Sequence, residues 1–256
     1  MLHYTLTGKG PTVVLLHGFP LNSGIWEHQV KDLSRSYRVV TPDLPGFGVS
    51  PPPTGGGSPT ILQMAGSVLA LMDHLKIRDF AVAGHSMGGY VALALYKQVP
   101  ARIAGLGLIC TQAVPDSPEA RQNRLIMVEA AQKDGAPAVA AAMLPKLFAP
   151  DVSAESPLYR QVEEMVHWTS VEGICAALHA MADRPDMRPL LAQITVPTLV
   201  LTGGADQAIS PQRAECMAAH IDRAVLVRVP GAGHMPMLEQ PEATSNALAE
   251  WLDLVY

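Results

Sequence analysis

The segment Ala83-Gly84-His85-Ser86-Met87-Gly88-Gly89 fits the pattern G-x-S-x-G and decides the fold class. It follows a short apolar run at residues 80–83 and opens a helical pattern rich in small residues. A serine between a buried strand and a helix is typical of a nucleophile held on a sharp, strained turn. Side chains at Gly84 and Gly88 would collide across such a turn, so only glycine fits there. The alternative is an ordinary strand-to-helix turn whose serine caps the helix.

Short apolar runs alternate with longer helical patterns on both sides of this segment. Such alternation predicts a mainly parallel sheet with helices on its faces. The predicted strands are residues 12–16, 37–42, 80–83, 105–110, 198–202 and 225–229. Residues 2–6 alternate polar and apolar side chains and are predicted to pair at the sheet edge through the turn at 8–11. The proline- and glycine-rich residues 50–59 are predicted to be an irregular connection.

One long stretch breaks the alternation. About eighty residues between the strands at Gly105 and Thr198 carry helical patterns and no strand signal. Ser117 predicts a helix start and Gly135 its end. We interpret residues 113–190 as a helical cap inserted into a core domain made of residues 1–112 and 191–256. The alternative is a set of extra layer helices without a cap role.

A serine hydroxyl is a poor nucleophile at neutral pH, so Ser86 needs a general base. The chain has nine histidines, and His234 has the most suitable position. It lies in a glycine-rich loop, residues 230–236, between the last predicted strand and the last predicted helix. Loops at the carboxyl ends of parallel strands meet at one edge of the sheet, so we expect His234 to face Ser86.

The imidazole in turn needs a carboxylate that holds its tautomer. Asp206 follows the predicted strand 198–202 and is the predicted partner. Asp43 also ends a strand, but it precedes Ser86 and lies in residues 43–48, which are typical of a packed turn. The order Ser86, Asp206, His234 is the order found in one class of serine enzymes.

An oxyanion formed at Ser86 needs two hydrogen-bond donors. The backbone N–H of Met87 lies at a predicted helix N-terminus and is the first candidate. The second is the N–H of Phe19, in the segment His17-Gly18-Phe19-Pro20 after an early strand, because Pro20 has no N–H. We expect His17 to have a structural, hydrogen-bonding role.

Composition limits the partners and cofactors. The formal net charge of the 256 residues is −5, and without a run of Lys or Arg this argues against a nucleic-acid partner. No stretch approaches the roughly 18 apolar residues of a membrane span. Three widely spaced cysteines suit reduced core thiols and a cytoplasmic location. No metal-binding or phosphate-binding motif is present, so no metal or other cofactor is expected. A monomer or a homodimer is expected.

These motifs together resemble the α/β-hydrolase superfamily. They occur in family order over nearly the whole chain, at residues 17–20, 43–48, 84–89, 204–206 and 231–234. The sequence is most similar to capped esterases, 3-oxoadipate enol-lactonase-like hydrolases and pimeloyl-carrier-protein esterase-like enzymes. The resemblance implies a mostly parallel sheet of seven or eight strands flanked by helices, with a helical cap after the sixth strand. The first edge strand of the family is short or absent here.

The resemblance also implies a reaction. A triad of Ser86, His234 and Asp206 would cleave a small carboxylic ester or lactone through an acyl-enzyme, without a cofactor. Serine at position 86 argues against the dehalogenase and epoxide hydrolase branches, which need a carboxylate nucleophile. Two alternatives stay open: a C–C bond hydrolase or lyase that uses the same triad, and a ligand receptor with slow turnover.

The cap is expected to shape the substrate pocket. Its candidate apolar walls are Leu147, Phe148, Met165 and Trp168, together with Phe19 from the core. The alternative for each cap residue is packing inside the cap. The basic side chains that could bind an anionic substrate are Arg121, Arg124 and Arg160.

Overall fold

Seven strands form one sheet in the computed structural model, which describes residues 1–52 and 59–256. The strands are β1 (Tyr4–Thr7), β2 (Thr12–Leu16), β3 (Arg38–Pro42), β4 (Phe80–His85), β5 (Ile103–Ile109), β6 (Thr198–Gly203) and β7 (Ala224–Val229). Their order is β1-β3-β2-β4-β5-β6-β7, and every neighbouring pair is parallel except β1 and β3. The predicted mostly parallel α/β sheet is therefore confirmed. Most of the connection predicted at 50–59 lies outside the described residues.

The edge strand β1 has a different partner from the one that the turn at residues 8–11 suggested. It pairs with β3 in the antiparallel direction, so that Tyr4 faces Pro42 and Thr7 faces Val39. A hairpin with β2 is impossible because β3 and β4 already occupy both edges of β2. The position at the sheet edge was predicted correctly, and the implied hairpin was wrong.

Helices fill the connections between the strands. They are α1 (Glu27–Leu33), α2 (Ile61–His74), α3 (Met87–Gln98), α4 (Pro118–Asp134), α5 (Ala136–Leu147), α6 (Pro157–His167), α7 (Val171–Ala182), α8 (Arg188–Leu191), α9 (Pro211–His220), α10 (Pro236–Glu239) and α11 (Pro241–Val255). None of the described helices is both long enough and apolar enough to cross a membrane.

The central strands are buried on both faces, as their apolar sequences predict. Alternate side chains of β2 point to opposite sides: Val14 packs in the cluster that contains α2 and α3, and Val13 in the cluster that contains α11. β7 differs, because Val225 and Leu226 are 47% and 42% exposed. This strand lies at the sheet edge, so its apolar run does not indicate burial on both faces.

The helices α4 to α8 follow one another without a strand between β5 and β6. The Ser117 hydroxyl caps α4 by accepting from the Ala120 N–H at 3.1 Å, and Gly135 ends the helix with a φ of +76°, as predicted. The insertion was predicted to follow the sixth strand, and it follows the fifth strand of the described chain. One strand fewer than expected precedes it.

The insertion touches the core at the sheet's carboxyl edge. The Thr169 hydroxyl donates to the Pro20 carbonyl at 3.1 Å. Gly173 of α7 meets Gly46 so closely that a Cβ on either residue would collide with the backbone of the other. At the base of the insertion, Asp116 pairs with Arg124 and with Arg184, whose Nη1 lies 2.6 Å from the Asp116 carboxylate.

A pair of glycine substitutions tests how tightly the turn after β4 is packed. A Cβ at Gly84 would collide with the Gly88 backbone, whereas a Cβ at Gly66 in α2 would meet nothing within 4 Å. We expect Gly84→Ala to lower the free energy of unfolding by about 3 kcal/mol or more. Gly66→Ala should raise it by up to about 1 kcal/mol through helix propensity. Urea denaturation measures both, and a Gly84 variant as stable as the Gly66 variant would contradict the close packing.

Candidate active site

Ser86 is the single residue between β4 and α3. Its φ and ψ are +52° and −112°, a left-handed conformation that costs a non-glycine residue free energy. Two hydrogen bonds hold it there: its N–H donates to the Ile109 carbonyl, and its carbonyl accepts from the Thr111 hydroxyl, both at 2.8 Å. The strained turn predicted from the sequence is confirmed.

Three glycines make room for this turn. A Cβ at Gly84 would collide with the Gly88 carbonyl across the turn, as predicted. A Cβ at Gly88 would instead collide with the Leu16 carbonyl at the end of β2. Gly18 lies against Ser86 itself, since its Cβ would be 3.1 Å from the Ser86 Cβ. The loop after β2 is therefore in direct contact with the serine.

Asp206 and His234 come together from the loops after β6 and β7. The His234 Nδ1 lies 2.9 Å from the Asp206 Oδ2, and both side chains are buried. The other carboxylate oxygen accepts from the N–H groups of Ala208 and Ile209 at 2.8 and 2.9 Å. Burial disfavours the ionised carboxylate, but the His234 charge and hydrogen bond, together with these two N–H groups, outweigh it and lower the pKa of Asp206.

His85, the residue before Ser86 in the chain, contacts this pair. Its Nε2 lies 2.8 Å from the His234 carbonyl, which can only accept, so this nitrogen carries the proton. The two imidazole rings have centroids 4.8 Å apart. Burial and, next, the His234 charge lower the pKa of His85 well below its ordinary value, so His85 is neutral. The sequence prediction missed this role because His85 occupies a variable position of the motif.

Of the two predicted oxyanion donors, Met87 is next to Ser86 in the chain, and Phe19 is in a loop that contacts Ser86. Met87 begins α3 directly after the serine, and Phe19 follows Gly18, whose backbone lies against the serine. Neither backbone N–H donates to another protein group among residues 1–52 and 59–256. Neither N–H has an acceptor within the described residues, as the predicted oxyanion role requires.

His17 fixes the loop that contains Phe19 by hydrogen bonds of its ring. The ring is fully buried; its Nε2 accepts from the Leu44 N–H at 2.8 Å, and its Nδ1 donates to the Gly18 carbonyl at 3.0 Å. Burial lowers the pKa of His17, which keeps it neutral with the proton on Nδ1. The expected structural role of His17 is confirmed.

Asp43, the other candidate carboxylate, belongs to a packed turn, as predicted. It accepts from the N–H groups of Ser23 and Val49 and lies 3.0 Å from the His3 ring. These bonds, which occupy both carboxylate oxygens, fix the turn and leave Asp206 as the partner of His234.

Sequence comparison agrees with this architecture. The sequence model of the alpha/beta hydrolase family matches residues 13–247. The chain belongs to the alpha/beta hydrolase family. The resemblance and the α/β-hydrolase fold predicted from the motifs are confirmed.

Curated relatives of this hydrolase include the two enzyme types that the motifs resembled. The chain is 29% identical to 3-oxoadipate enol-lactonase 2 of Acinetobacter baylyi, over 96% of this chain and 91% of the relative. It is 29% identical to the pimeloyl-[acyl-carrier protein] methyl ester esterase of Nitrosomonas europaea, over 94% and 95%. The dihydrolipoyllysine-residue acetyltransferase component of the acetoin cleaving system of Pseudomonas putida is 32% identical over 97% of this chain. The chain spans only 65% of that relative's length.

Solved structures are similar over almost the whole hydrolase. A thermophilic esterase from Thermogutta terrifontis, with malate bound, has a TM-score of 0.94 and 39% identity, over 99% of this chain and 93% of that chain. The enol-lactonase from Burkholderia xenovorans LB400 has a TM-score of 0.91 and 32% identity, over 98% and 96%.

The residues predicted to line the substrate pocket of this hydrolase differ from one another in exposure and in the groups that they contact. Phe19 is 3% exposed and packs edge-on against Phe47, with ring centroids 6.2 Å apart. Phe148 is 2% exposed, and its ring centroid lies 5.3 Å from that of Tyr159 inside the insertion. Met165 is half-buried and reaches the core loop at Gly24.

The side chain of Trp168 is 83% exposed, which weighs against the pocket wall predicted for it. α6 buries Val162 and Val166, which are four residues apart and share one helix face. Trp168 follows Val166 by two residues, about 200° further round the helix, so it points to solvent.

The basic residues of the insertion have partners. Arg121 pairs with Asp183 at 2.6 Å, Arg124 with Asp116, and the Arg160 guanidinium donates to the Glu155 carbonyl at 2.9 Å. An anionic substrate would have to compete with these partners, which weighs against the anion-binding role considered for them.

One group of side chains in the described residues has the composition of a metal site: Cys110, Asp206 and His234, with donor atoms within 4.8 Å of one another. The residues do not fit a metal well. Both Asp206 oxygens are already hydrogen-bonded, one to the His234 Nδ1 and the other to the N–H groups of Ala208 and Ile209, so a metal would have to displace these bonds. Burial and, after it, the Asp206 charge raise the pKa of Cys110 well above its ordinary value. Cys110 is a free, buried thiol, as predicted, but the expectation of core thiols is wrong for Cys216, which is exposed, and Cys175 is only half-buried.

The ionisation of Asp206 makes a testable contribution to stability. Because folding lowers its pKa from the ordinary 3.8, this contribution is complete above about pH 4 and is lost as the pH falls below that value. We expect Asp206→Asn to flatten the dependence of the unfolding free energy on pH below about 4. Urea denaturation at a series of pH values measures it. The exposed Asp222→Asn variant should keep the wild-type slope, and equal slopes in all three proteins would contradict the assignment.

Two substitutions at the end of α6 test the orientation of Trp168. Val166→Ala should lower the free energy of unfolding by about 2 kcal/mol, because its side chain is fully buried. Trp168→Ala should change it by no more than about 0.5 kcal/mol. Denaturant titration of both variants measures the difference. A larger loss for Trp168→Ala than for Val166→Ala would mean that the indole packs against the protein.

Proposed function

We propose that this hydrolase cleaves small carboxylic esters or lactones by acyl transfer through Ser86. The observation that carries the proposal is the strained Ser86, linked through His85 to the buried pair of His234 and Asp206. Relatives and similar structures named as esterases and enol-lactonases support the substrate class.

The proposed reaction begins when the Ser86 hydroxyl attacks the carbonyl carbon of the substrate. His234 accepts the hydroxyl proton on Nε2, because its Nδ1–H is bonded to Asp206 at 2.9 Å. Asp206, ionised because its pKa is lowered, stabilises the imidazolium that forms. The tetrahedral oxyanion accepts hydrogen bonds from the free N–H groups of Phe19 and Met87.

Collapse of this intermediate breaks the bond to the leaving oxygen and produces an acyl ester on Ser86. His234 gives its proton to the alcohol that leaves, or to the new hydroxyl of an opened lactone. Water then attacks the acyl ester, and His234 takes one of its protons. A second tetrahedral intermediate collapses to release the carboxylic acid and restore the Ser86 hydroxyl. Every proton is transferred by His234, and no step needs a cofactor.

Residues 113–190 act as a cap in this proposal, over a core of residues 1–112 and 191–256. Its support is that the insertion bonds to the loops that carry the site: the Leu147 carbonyl accepts from the His234 N–H at 3.1 Å, and the Phe148 carbonyl from the Gln207 side chain at 3.3 Å. Phe19, Phe148 and Met165 stay the proposed apolar contacts of the substrate. Paired basic residues in the insertion favour an uncharged acyl group.

Replacement of the nucleophile is the direct test. We expect Ser86→Ala to lower kcat for a short p-nitrophenyl ester by about 10⁴-fold or more, because no other group forms the acyl-enzyme. The exposed Ser36→Ala variant is the control and should keep full activity. Circular dichroism checks that both variants are folded. Unchanged turnover by folded Ser86→Ala would overturn the proposal.

A substrate screen separates ester and lactone cleavage from the alternatives. Steady-state turnover of acyl esters and enol-lactones, with acyl chains of increasing length, is the expected result. Turnover confined to vinylogous diketones would indicate a C–C bond hydrolase instead. One burst of product followed by arrest would indicate a slow ligand receptor.

A further inference from the structure

Glu239, at the end of α10, has a carboxylate that the proposed reaction does not use. Its Oε1 accepts from the Met235 N–H at 2.9 Å and from the Gly233 N–H at 3.0 Å. Its Oε2 accepts from the Ala149 N–H at 2.8 Å and shares the Gly233 N–H at 3.0 Å. One half-buried carboxylate thus binds the residues before and after His234 and one residue of the insertion.

The charge of Glu239 is matched by backbone N–H groups rather than by a cation. No Lys, Arg or His in the part of the chain that the structure describes lies within ion-pair distance of it. A carboxylate has about four acceptor positions on two oxygens and can satisfy all three N–H groups, whereas an amide would present its own N–H to one of them. Hydrogen bonds to an ionised acceptor are also stronger than neutral ones.

The loop and the insertion meet closely at this point. A Cβ at Gly233 would collide with the Phe148 carbonyl carbon and the Ala149 nitrogen, so the two backbones are in contact. The His234 N–H also donates to the Leu147 carbonyl at 3.1 Å. Residues 147–149 therefore bond to His234 directly and, through Glu239, to both of its neighbours.

We propose that Glu239 is a positioning residue for His234 and couples the imidazole geometry to the seating of the insertion. This inference rests on the proposed function, in which His234 is the general base. The carboxylate fixes the backbone on both sides of His234, and the His85 bond fixes its carbonyl. Without Glu239, three N–H groups lose their acceptor, the loop can shift, and His234 Nε2 moves relative to Ser86.

The test compares wild type with Glu239→Gln and Glu239→Asp, and uses the exposed Glu242→Gln on α11 as a control of equal charge change. We expect Glu239→Gln to lower kcat for a short p-nitrophenyl ester by about 10-fold to 100-fold, with KM changed less than about twofold. Phosphonylation of Ser86 by a fluorophosphonate should slow by a similar factor. Glu242→Gln should match wild type. Assays are run under conditions in which circular dichroism shows each variant to be folded. If Glu239→Gln does not fold, Glu239→Asp takes its place.

A second measurement does not depend on turnover. Proton NMR of wild type should contain a downfield His234 Nδ1–H signal from the bond to Asp206, and Glu239→Gln should shift or broaden it. An unchanged signal, or a kcat within twofold of wild type in folded Glu239→Gln, would overturn the positioning role. Absence of turnover and of Ser86 labelling in wild type would overturn the proposed function, and the NMR signal would still decide the role of Glu239.

Discussion

The backbone of Ser86 joins a buried strand to a buried helix through one residue with a φ of +52°. A non-glycine residue in this conformation costs about 1–3 kcal/mol, so the surrounding structure must hold it. The Ile109 carbonyl and the Thr111 hydroxyl do so by hydrogen bonds at 2.8 Å. Burial of both β4 and α3 then makes relaxation of the turn more costly than the strain, because either element would have to leave the core.

The strained turn at Ser86 determines which residue types fit at the positions that pack against it. Gly84 and Gly88 allow the strand, the turn and the end of β2 to approach one another, and Gly18 lets the Phe19 loop lie against Ser86. His85 is then directed toward the loop after β7, where it bonds the His234 carbonyl. The position of His234 relative to Ser86 is thus fixed through His85, which precedes the serine and contacts His234 by a hydrogen bond and by its ring.

The sequence was sufficient to predict the mainly parallel sheet and the contact between Asp206 and His234, because each of these two residues follows its own apolar strand. Parallel strands bring their carboxyl ends to one edge, so Ser86, Asp206 and His234 could be placed together without knowledge of their contacts. His85 and Glu239 could not be found in this way. His85 bonds a carbonyl about 150 residues away, and Glu239 joins two nearby N–H groups to one about 90 residues away; no local pattern encodes the distant pairings.

Exposure within the insertion was also beyond sequence reasoning. Large aromatic residues are usually buried, yet Trp168 follows the last turn of α6 on the face opposite Val166. The partner of β1 likewise depended on which edges of the sheet remained free. For Trp168 the preference of aromatic side chains for burial gave the wrong expectation, whereas for β1 the edge position was correct and the choice of partner depended on strands distant in the sequence.

The insertion is hydrogen-bonded directly to the loops that carry the candidate site. Residues 147–149 bond to the loops that hold His234 and Asp206, and Thr169 bonds to the loop that holds Phe19. A change that shifts these residues would move the proposed base, its carboxylate and one proposed oxyanion donor together. In the proposed reaction, a substitution in the insertion can therefore change substrate choice without loss of activity only if the backbone of residues 147–149 stays in place, because these residues hold the loops of His234 and Asp206.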